Sequence, residues 1–517
     1  MPEVSTDTEP KKNSQKPSGS NNSVGPIKNS TWMGLAGGVV VFLLTILSSP
    51  PEGLSLEGWR TAGVALLMAI WWFSEAIPIS ATALVPLILF PVLGISDISA
   101  TASPYANPMI FLFMGGFIIA IAMQEWGLHK RIALNIIGVI GSKPRSIIMG
   151  FMVSSAFMSM WVSNTAATLM MLPIALSVIQ LTKITEHGKE EKAQYKNFGI
   201  ALMLAVAFSS SVGGLGTVIG TPTNALLIGF IQESYGIEIS FAQWMLLGVP
   251  VVVLGLPVIF YSLVNITFPV SIQTLPGGKE YIKDEMKRLG AISRPEVMVA
   301  AVFTLVAVLW MSRPVLESFV PGLSDAGISI FGAVLLFMIP VNVSKGVFLL
   351  NWKAAEKLPW GVLILFGGGL TLAGAIHHTG LAEWIGGYFA IMGGWPIILV
   401  IFVIVSVILI FTELASNSAT AAAFLPIMGS VAIGVGQNPL LLAIPVAIVA
   451  SCAFMLPVAT PPNAIVYGSG VMTIPQMAKA GMILNLFFAM LVTVLTYFLF
   501  TAILGIEIGV VPDGLMP

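Results

Sequence analysis

The sequence is poor in charge. Only 9% of its 517 residues are Asp, Glu, Lys or Arg, and 56% are hydrophobic. Soluble domains carry roughly 25% charged residues. A chain this long with so few charges cannot cover a surface that faces water. The composition therefore excludes a soluble enzyme or a nucleic-acid-binding protein, and it indicates a polytopic membrane protein.

Cysteine and histidine are also scarce. The only cysteine is Cys452, which excludes a disulfide framework and a cysteine-based metal site. Of the four histidines, only His377 and His378 are adjacent. The sequence shows neither a metal-ligand set nor a Ser-His-Asp constellation, so we expect no enzyme activity.

Lysine and arginine are absent from every second linker, which predicts the direction of the spans. Residues 1–31 are polar and read as a disordered cytoplasmic tail. The linkers between apolar runs that contain no Lys or Arg are 96–107, 231–241, 317–325, 379–395 and 436–439, and the C-terminal segment 506–517 also has none. Basic linkers stay in the cytoplasm. We therefore expect a multi-pass protein of the cell inner (plasma) membrane, with a cytoplasmic N-terminus and an external C-terminus.

Four apolar segments have lengths that do not suit one straight span. Segment 199–230 crosses once, yet as a helix it would be about 48 Å long at about 1.5 Å per residue, against a core of about 30 Å. Segment 440–470 poses the same problem. Segments 147–181 and 396–435 begin and end on one side, as re-entrant hairpins or two short spans would. We predict an all-α polytopic protein with eleven transmembrane helices plus two re-entrant hairpins.

The chain repeats itself in two halves. An offset of 253 residues carries Ser163-Asn164-Thr165 onto Ser416-Asn417-Ser418, and an offset of 239 carries Thr221-Pro222 onto Thr460-Pro461. The halves start on opposite sides, so the repeats are inverted, which suits alternating access. The predicted parts are a first helix with its outer loop (32–58), repeat 1 (59–268), a cytoplasmic interfacial linker (269–296), repeat 2 (297–505) and an external tail (506–517).

The four polar motifs lie where the hairpins turn and where the long segments must break. Proline breaks a helix interior but suits a first helical turn, and Ser, Thr or Asn caps it. Each break leaves one helix N-terminus, which suits a carboxylate, and one C-terminus, whose carbonyls suit Na⁺. No Lys or Arg lies in these motifs. An anion bound there needs co-bound cations, which favours sodium coupling.

These motifs resemble those of the divalent anion:sodium symporter family, the INDY-like dicarboxylate transporters. The segment from Trp72 to Ile79 is similar as well, and the resemblance covers about residues 32–505. It implies a homodimer in which an inner transport region moves elevator-fashion against a scaffold. The first sodium site that it implies uses Ser159, Ser163, Asn164 and Gly220. The second uses Thr412, Ala415, Asn417 and Ala459. The implied substrate residues are Asn164, Thr165, Thr221, Pro222, Ser416, Asn417, Ser418, Thr460 and Pro461.

Two kinds of function remain open from the sequence. The first is sodium-coupled symport of C4-dicarboxylates such as succinate, malate and fumarate, with citrate, sulfate or exchange transport on the same scaffold as variants. In the second, Glu413, three residues before Ser416, serves a cation/proton antiporter.

The charge asymmetry predicts the sidedness of two segments. Single cysteines at Gly514 and His187, introduced after Cys452→Ser, should react with an impermeant maleimide from opposite sides of the membrane. Labelling of intact cells and of inverted vesicles measures this. Reaction of both positions from the same side would contradict the inverted repeats.

Overall fold

The computed structural model describes residues 29–181, 189–275, 278–389 and 393–512. The predicted tail 1–31 lies outside this range except for its last three residues. His187 and Gly514 also lie outside it.

Helices account for most of the described chain. In the first half they are α1 (Asn29–Leu47), α2 (Leu56–Ser74), α3 (Ile79–Thr82), α4 (Val85–Leu93), α5 (Ile98–Ala102), α6 (Pro108–Glu125), α7 (Leu128–Ile140), α8 (Pro144–Ser159), α9 (Asn164–Leu181), α10 (Lys189–Gly213), α11 (Pro222–Tyr235) and α12 (Phe241–Tyr261). In the second half they are α13 (Gly278–Arg288), α14 (Arg294–Leu316), α15 (Asp325–Met338), α16 (Trp352–Ala355), α17 (Trp360–His378), α18 (Leu381–Phe389), α19 (Ile397–Leu414), α20 (Asn417–Gly434), α21 (Leu440–Ala450), α22 (Pro461–Gly468), α23 (Ile474–Val494) and α24 (Thr501–Leu504).

One small β-hairpin departs from the all-α prediction. Strand β1 (Pro340–Asn342) pairs antiparallel with β2 (Val347–Phe348). The turn between them has Gly346 at φ 62°, a left-handed conformation that glycine adopts without strain. The Asn342 Oδ1 accepts the backbone N–H of Lys345 at 3.1 Å, which closes the turn. Helix α15 therefore ends at Met338, two residues before the hairpin begins.

The described residues include nine helical stretches that are long and apolar enough to cross a membrane. Four shorter apolar helices accompany them in the same part of the chain. The predicted count of eleven crossings and two re-entrant hairpins stays a prediction, because length and composition do not separate a short span from a hairpin arm.

The centre of the molecule is built from the two interrupted segments. Helix α10 is followed by a 3₁₀ turn (Gly214–Gly216) and then α11. The most apolar part of the segment from α10 to the 3₁₀ turn is entirely buried. Helix α21 is buried along its whole length and leads through an irregular stretch to α22. Outer helices instead expose apolar side chains such as Leu44, Met311 and Met482. Helices α10 and α21 are thus enclosed by protein, while the apolar outer faces suit lipid.

Candidate functional site

Two helical hairpins each have the same short contact at their tip. In the hairpin α8–α9, the Ser159 Oγ lies 2.6 Å from the side-chain amide of Asn164. In the hairpin α19–α20, the Thr412 Oγ1 lies 3.0 Å from the Asn417 Oδ1. Ser159 corresponds to Thr412, and Asn164 to Asn417, at the offset of 253 residues. The repeat in the sequence is therefore also a repeat of contacts.

The two helix breaks are closed by equivalent asparagines. The Nδ2 of Asn224 donates to the carbonyls of Gly214 at 3.1 Å and Thr217 at 2.8 Å, which lie 10 and 7 residues before it. Asn463 makes the same pair of bonds, each 3.1 Å long, to carbonyls 10 and 7 residues earlier. These bonds pair carbonyls that an interrupted helix leaves without an intrahelical donor. Each break is thus a fixed loop, and both asparagines are fully buried.

Oxygens from the first hairpin tip and the first break converge on Asn164. One orientation of its amide directs Oδ1 to this point, 2.6 Å from the Ser159 Oγ. The other directs the nitrogen there, within 3.2 Å of the carbonyl oxygens of Ser210 and Gly220. With Oδ1 at this point the set consists of neutral oxygens alone, the kind of ligand that hard cations take and that broken membrane helices offer to Na⁺. The residues present therefore fit a sodium ion. Ser163, also predicted here, uses its Oγ to accept the N–H of Ala166 at 3.3 Å.

The first break is also too tight for side chains at two positions. A Cβ on Gly220 would overlap the Gly214 carbonyl oxygen, and a Cβ on Gly214 would overlap the Asn164 amide. The absence of side chains lets the backbone carbonyls approach the hairpin tip. In the second break the equivalent positions are Ala453 and Ala459, so the two halves are not identical here.

Thr412 organises the second cluster through its single hydroxyl hydrogen. The Oγ1 lies 2.6 Å from the Ala450 carbonyl and 3.0 Å from the Asn417 Oδ1, and it can donate to only one of them at a time. Donation to the carbonyl, which is closer, leaves two oxygens facing each other with lone pairs only. A cation between them would stabilise that arrangement. Ala415 and Ala459 are buried and can contribute only backbone carbonyls.

Glu413 anchors the second break. Its carboxylate accepts the backbone N–H groups of Phe454 at 2.7 Å, Met455 at 2.9 and 3.0 Å, and Leu456 at 3.1 Å. The Nδ2 of Asn485, on α23, donates to it at 2.8 Å. Both oxygens are therefore engaged and the side chain is buried. This arrangement connects the hairpin tip to the loop. It leaves neither carboxylate oxygen of Glu413 without a hydrogen-bond donor.

The prediction that all four helix N-termini present free N–H groups is wrong for α22. Pro461 and Pro462 have no N–H, and the Thr460 Oγ1 accepts the N–H of Asn463 at 3.2 Å. The first turn of α22 therefore has no donor left for an anion. The donors are missing because two prolines stand in succession. In the first break Pro222 is followed by Thr223, which has a backbone N–H.

The hairpin tips keep most of the free donors. Within the described chain, the N–H groups of Asn417, Ser418 and Ala419 at the start of α20 have no hydrogen-bond partner, and no side chain caps this helix. Those of Asn164 and Thr165 at the start of α9 are free in the same sense. An anion that meets helix N-termini in this protein thus meets mainly the two tips.

A cavity of about 630 Å³ opens beside the second tip. Ser416 and Ser418 line it, together with the connection from α2 to α3, the first residues of α3 and the first turns of α17. The other predicted substrate residues, Asn164, Thr165, Thr221, Pro222, Asn417, Thr460 and Pro461, are not part of this lining. The tip triplets are half-buried, whereas Thr221 and Thr460 are only 2% exposed. The structure therefore brings the serines of one tip to an open cavity and encloses the threonines of the breaks.

Comparison with known proteins identifies the family of the chain. The family model described as the sodium:sulfate symporter transmembrane region matches residues 29–506. A Staphylococcus saprophyticus protein named sodium-dependent dicarboxylate transporter SdcS is 43% identical over 480 residues, covering 92% of each chain. A Staphylococcus aureus protein of the same name is 42% identical over 488 residues, covering 94% of each.

Two solved structures share the fold at low sequence identity. The Alcanivorax borkumensis YdaH transporter superimposes with a TM-score of 0.56 at 13% identity, over 91% of this chain and 97% of that one. Neisseria gonorrhoeae MtrF gives a TM-score of 0.55 at 11% identity, over 91% and 95%. The chain therefore shares its helical fold with these two proteins over most of its length. The family model's match to residues 29–506 and the relatives at 42–43% identity confirm the family resemblance. The protein belongs to the sodium:sulfate symporter family.

Proposed function

We propose that this protein is a secondary active transporter that couples Na⁺ to the uptake of C4-dicarboxylates such as succinate, malate and fumarate. The observation that carries the proposal is the repeated contact between each hairpin tip and its break, which gathers neutral oxygens beside free N–H groups. The name shared by relatives at 42–43% identity supports the choice of ion and substrate class.

The charge balance explains why such a site needs sodium. The four motifs contain no Lys or Arg, and the described lining of the cavity at the second tip has neither. Helix N-termini carry only about half a positive charge each. Two carboxylates therefore bind well only when cations occupy the adjacent oxygen clusters. Bound Na⁺ and bound anion therefore raise each other's affinity, and uptake depends on the sodium gradient.

The movement and assembly rest on further inferences. We infer that α10, α11, α21 and α22, with both hairpins, form an inner unit that moves elevator-fashion against outer helices, and that the chain is a homodimer. The burial of α10 and α21 supports an inner unit, and the family resemblance supports the rest. The distribution of Lys and Arg supports a cytoplasmic N-terminus and an external C-terminus in the plasma membrane.

The alternatives differ in what they move. Citrate, sulfate or exchange transport would use the same clusters with another anion or without a sodium gradient. A cation/proton antiporter needs Glu413 to release protons into an open path. The engagement of both its oxygens by backbone and Asn485 donors opposes that role.

Uptake by the purified protein in proteoliposomes tests the proposal. An inward Na⁺ gradient should drive accumulation of radiolabelled succinate, and unlabelled malate and fumarate should compete. Replacement of Na⁺ by choline should abolish uptake. Succinate uptake that persists in choline would indicate exchange, whereas Na⁺/H⁺ exchange without succinate uptake would support the antiporter.

Adding a negative charge at either tip should weaken anion binding selectively. In Asn164→Asp and Asn417→Asp the side chain keeps its size, but two unit charges about 4 Å apart interact by about 4 kcal/mol at an effective dielectric constant of about 20. Half of this repulsion already exceeds the roughly 1.4 kcal/mol that corresponds to a tenfold loss of affinity. Succinate affinity, measured by calorimetry, should fall more than tenfold while thermal-shift titration still detects Na⁺ binding. Asn197→Asp, outside the site, is the control, and unchanged succinate affinity in both tip variants would disprove the anion site.

A methyl group at Gly220 should damage the first sodium cluster. Because its Cβ would overlap the Gly214 carbonyl, the break must shift, and overpacking of this kind costs about 1–3 kcal/mol. We expect the Na⁺ concentration for half-maximal uptake to rise roughly tenfold in Gly220→Ala. Gly374→Ala is a matched control, since a Cβ there has no atom within 4 Å. Equal sodium dependence of the two variants would show that Gly220 is not beside the ion.

A further inference from the structure

A buried serine connects the second break to the first. Ser451 directly follows the last residue of α21 and is fully buried. Its Oγ lies 2.7 Å from the Thr223 Oγ1 and 3.4 Å from the Thr221 Oγ1. Both threonines belong to the start of α11, in the other half of the chain. Three hydroxyls from the two repeats thus meet in one enclosed contact.

The internal repeat does not require this contact. At the offset of 239 residues, Ser451 corresponds to Val212 and Thr223 to Pro462, neither of which has a side-chain hydroxyl. The contact also changes what Thr221 does. Thr460 caps its own helix by accepting the N–H of Asn463, whereas Thr221 makes no such cap bond. The Thr221 hydroxyl is directed to the other half of the protein instead of its own helix.

The peptide group that carries Ser451 also reaches the second sodium cluster. The carbonyl of Ala450 is the oxygen that accepts the Thr412 hydroxyl at 2.6 Å. Ala450 and Ser451 share one planar peptide unit, which has no internal rotation. A change in the orientation of that unit therefore affects Thr412 on one side and Thr221 on the other. Thr221 is bonded to Gly220, whose carbonyl belongs to the first cluster.

We propose that Ser451 is a positioning residue that couples the two sodium sites, an inference that rests on the proposed function. An ion in the second cluster commits the Thr412 hydrogen to the Ala450 carbonyl and so fixes the peptide. The Ser451 hydroxyl then holds Thr221 and Thr223, and with them the Gly220 carbonyl, in the position that the first ion needs. Each ion thereby raises the affinity for the other, as linkage requires.

Removal of the hydroxyl should separate the two sites. For Ser451→Ala we expect the Hill coefficient of Na⁺-activated succinate uptake to fall toward one. The Na⁺ concentration for half-maximal uptake should rise roughly fivefold or more, which is the low end of typical coupling between sites. Succinate uptake as a function of Na⁺ concentration in proteoliposomes measures both quantities. A purely structural serine would lower thermal stability but leave the Hill coefficient unchanged, and that result would overturn the proposal.

A second variant keeps the test independent of the folding of the first. Thr223→Val removes the partner hydroxyl with little change of shape, and it should give the same loss of cooperativity. Because Ser451→Ala removes this contact as well as the longer one to Thr221, the double variant should be no worse than Ser451→Ala alone. Ser154→Ala is the control, because Ser154 is also a fully buried serine with one hydrogen bond, to the Ala133 carbonyl. Additive effects of the two variants would contradict a shared contact.

The wild-type protein separates the two levels of inference. If it shows no Na⁺-dependent succinate uptake, the proposed function itself fails. If it shows cooperative Na⁺ dependence that Ser451→Ala and Thr223→Val both retain, only the coupling through Ser451 is disproved.

Discussion

The backbone of an interrupted helix must find partners when water is excluded, and the rest of this structure depends on how it does so. Asn224 and Asn463 pair the carbonyls inside the two breaks, each from a fully buried position. Because the asparagines close the loops from within, other carbonyls, those of Gly220 and Ala450, remain directed toward the hairpin tips. In the proposed function, the loops that satisfy the backbone would also bind the ions, so a break that relaxed into a continuous helix would lose the site.

The two halves share one arrangement of hairpin and interrupted helix but stabilise it with different residues. The first break relies on glycine to bring backbone oxygens close to Asn164. The second is held by the carboxylate of Glu413, whose position in the first half is taken by Met160. Consecutive prolines remove the N–H donors of α22, while α11 keeps the donor of Thr223. The halves therefore differ in chemistry, and the dicarboxylate proposed above would not meet two identical subsites.

Sequence alone could predict the polar motifs and the family, because unusual residues in apolar segments carry a clear signal. The positions of Asn164, Asn417, Thr221 and Thr460 follow from motif and offset. Other features have no such signal. The carbonyls of Ser210 and Ala450 could belong to any residue type, and the Ser451 contact needs two distant segments to meet. The β-hairpin after Met338 was missed because Pro340 and Val341 continue the apolar run. The depletion of N–H groups in α22 could have been read from Pro461-Pro462.

The central claim is that sodium ions at neutral oxygen clusters make the site able to hold a dicarboxylate without Lys or Arg. Calorimetric titration of the purified protein with succinate, at a series of Na⁺ concentrations balanced with choline at constant ionic strength, tests it most directly. The account predicts that succinate affinity falls steeply as Na⁺ is lowered and that binding is undetectable in choline alone. Succinate binding of equal affinity in the absence of Na⁺ would contradict it.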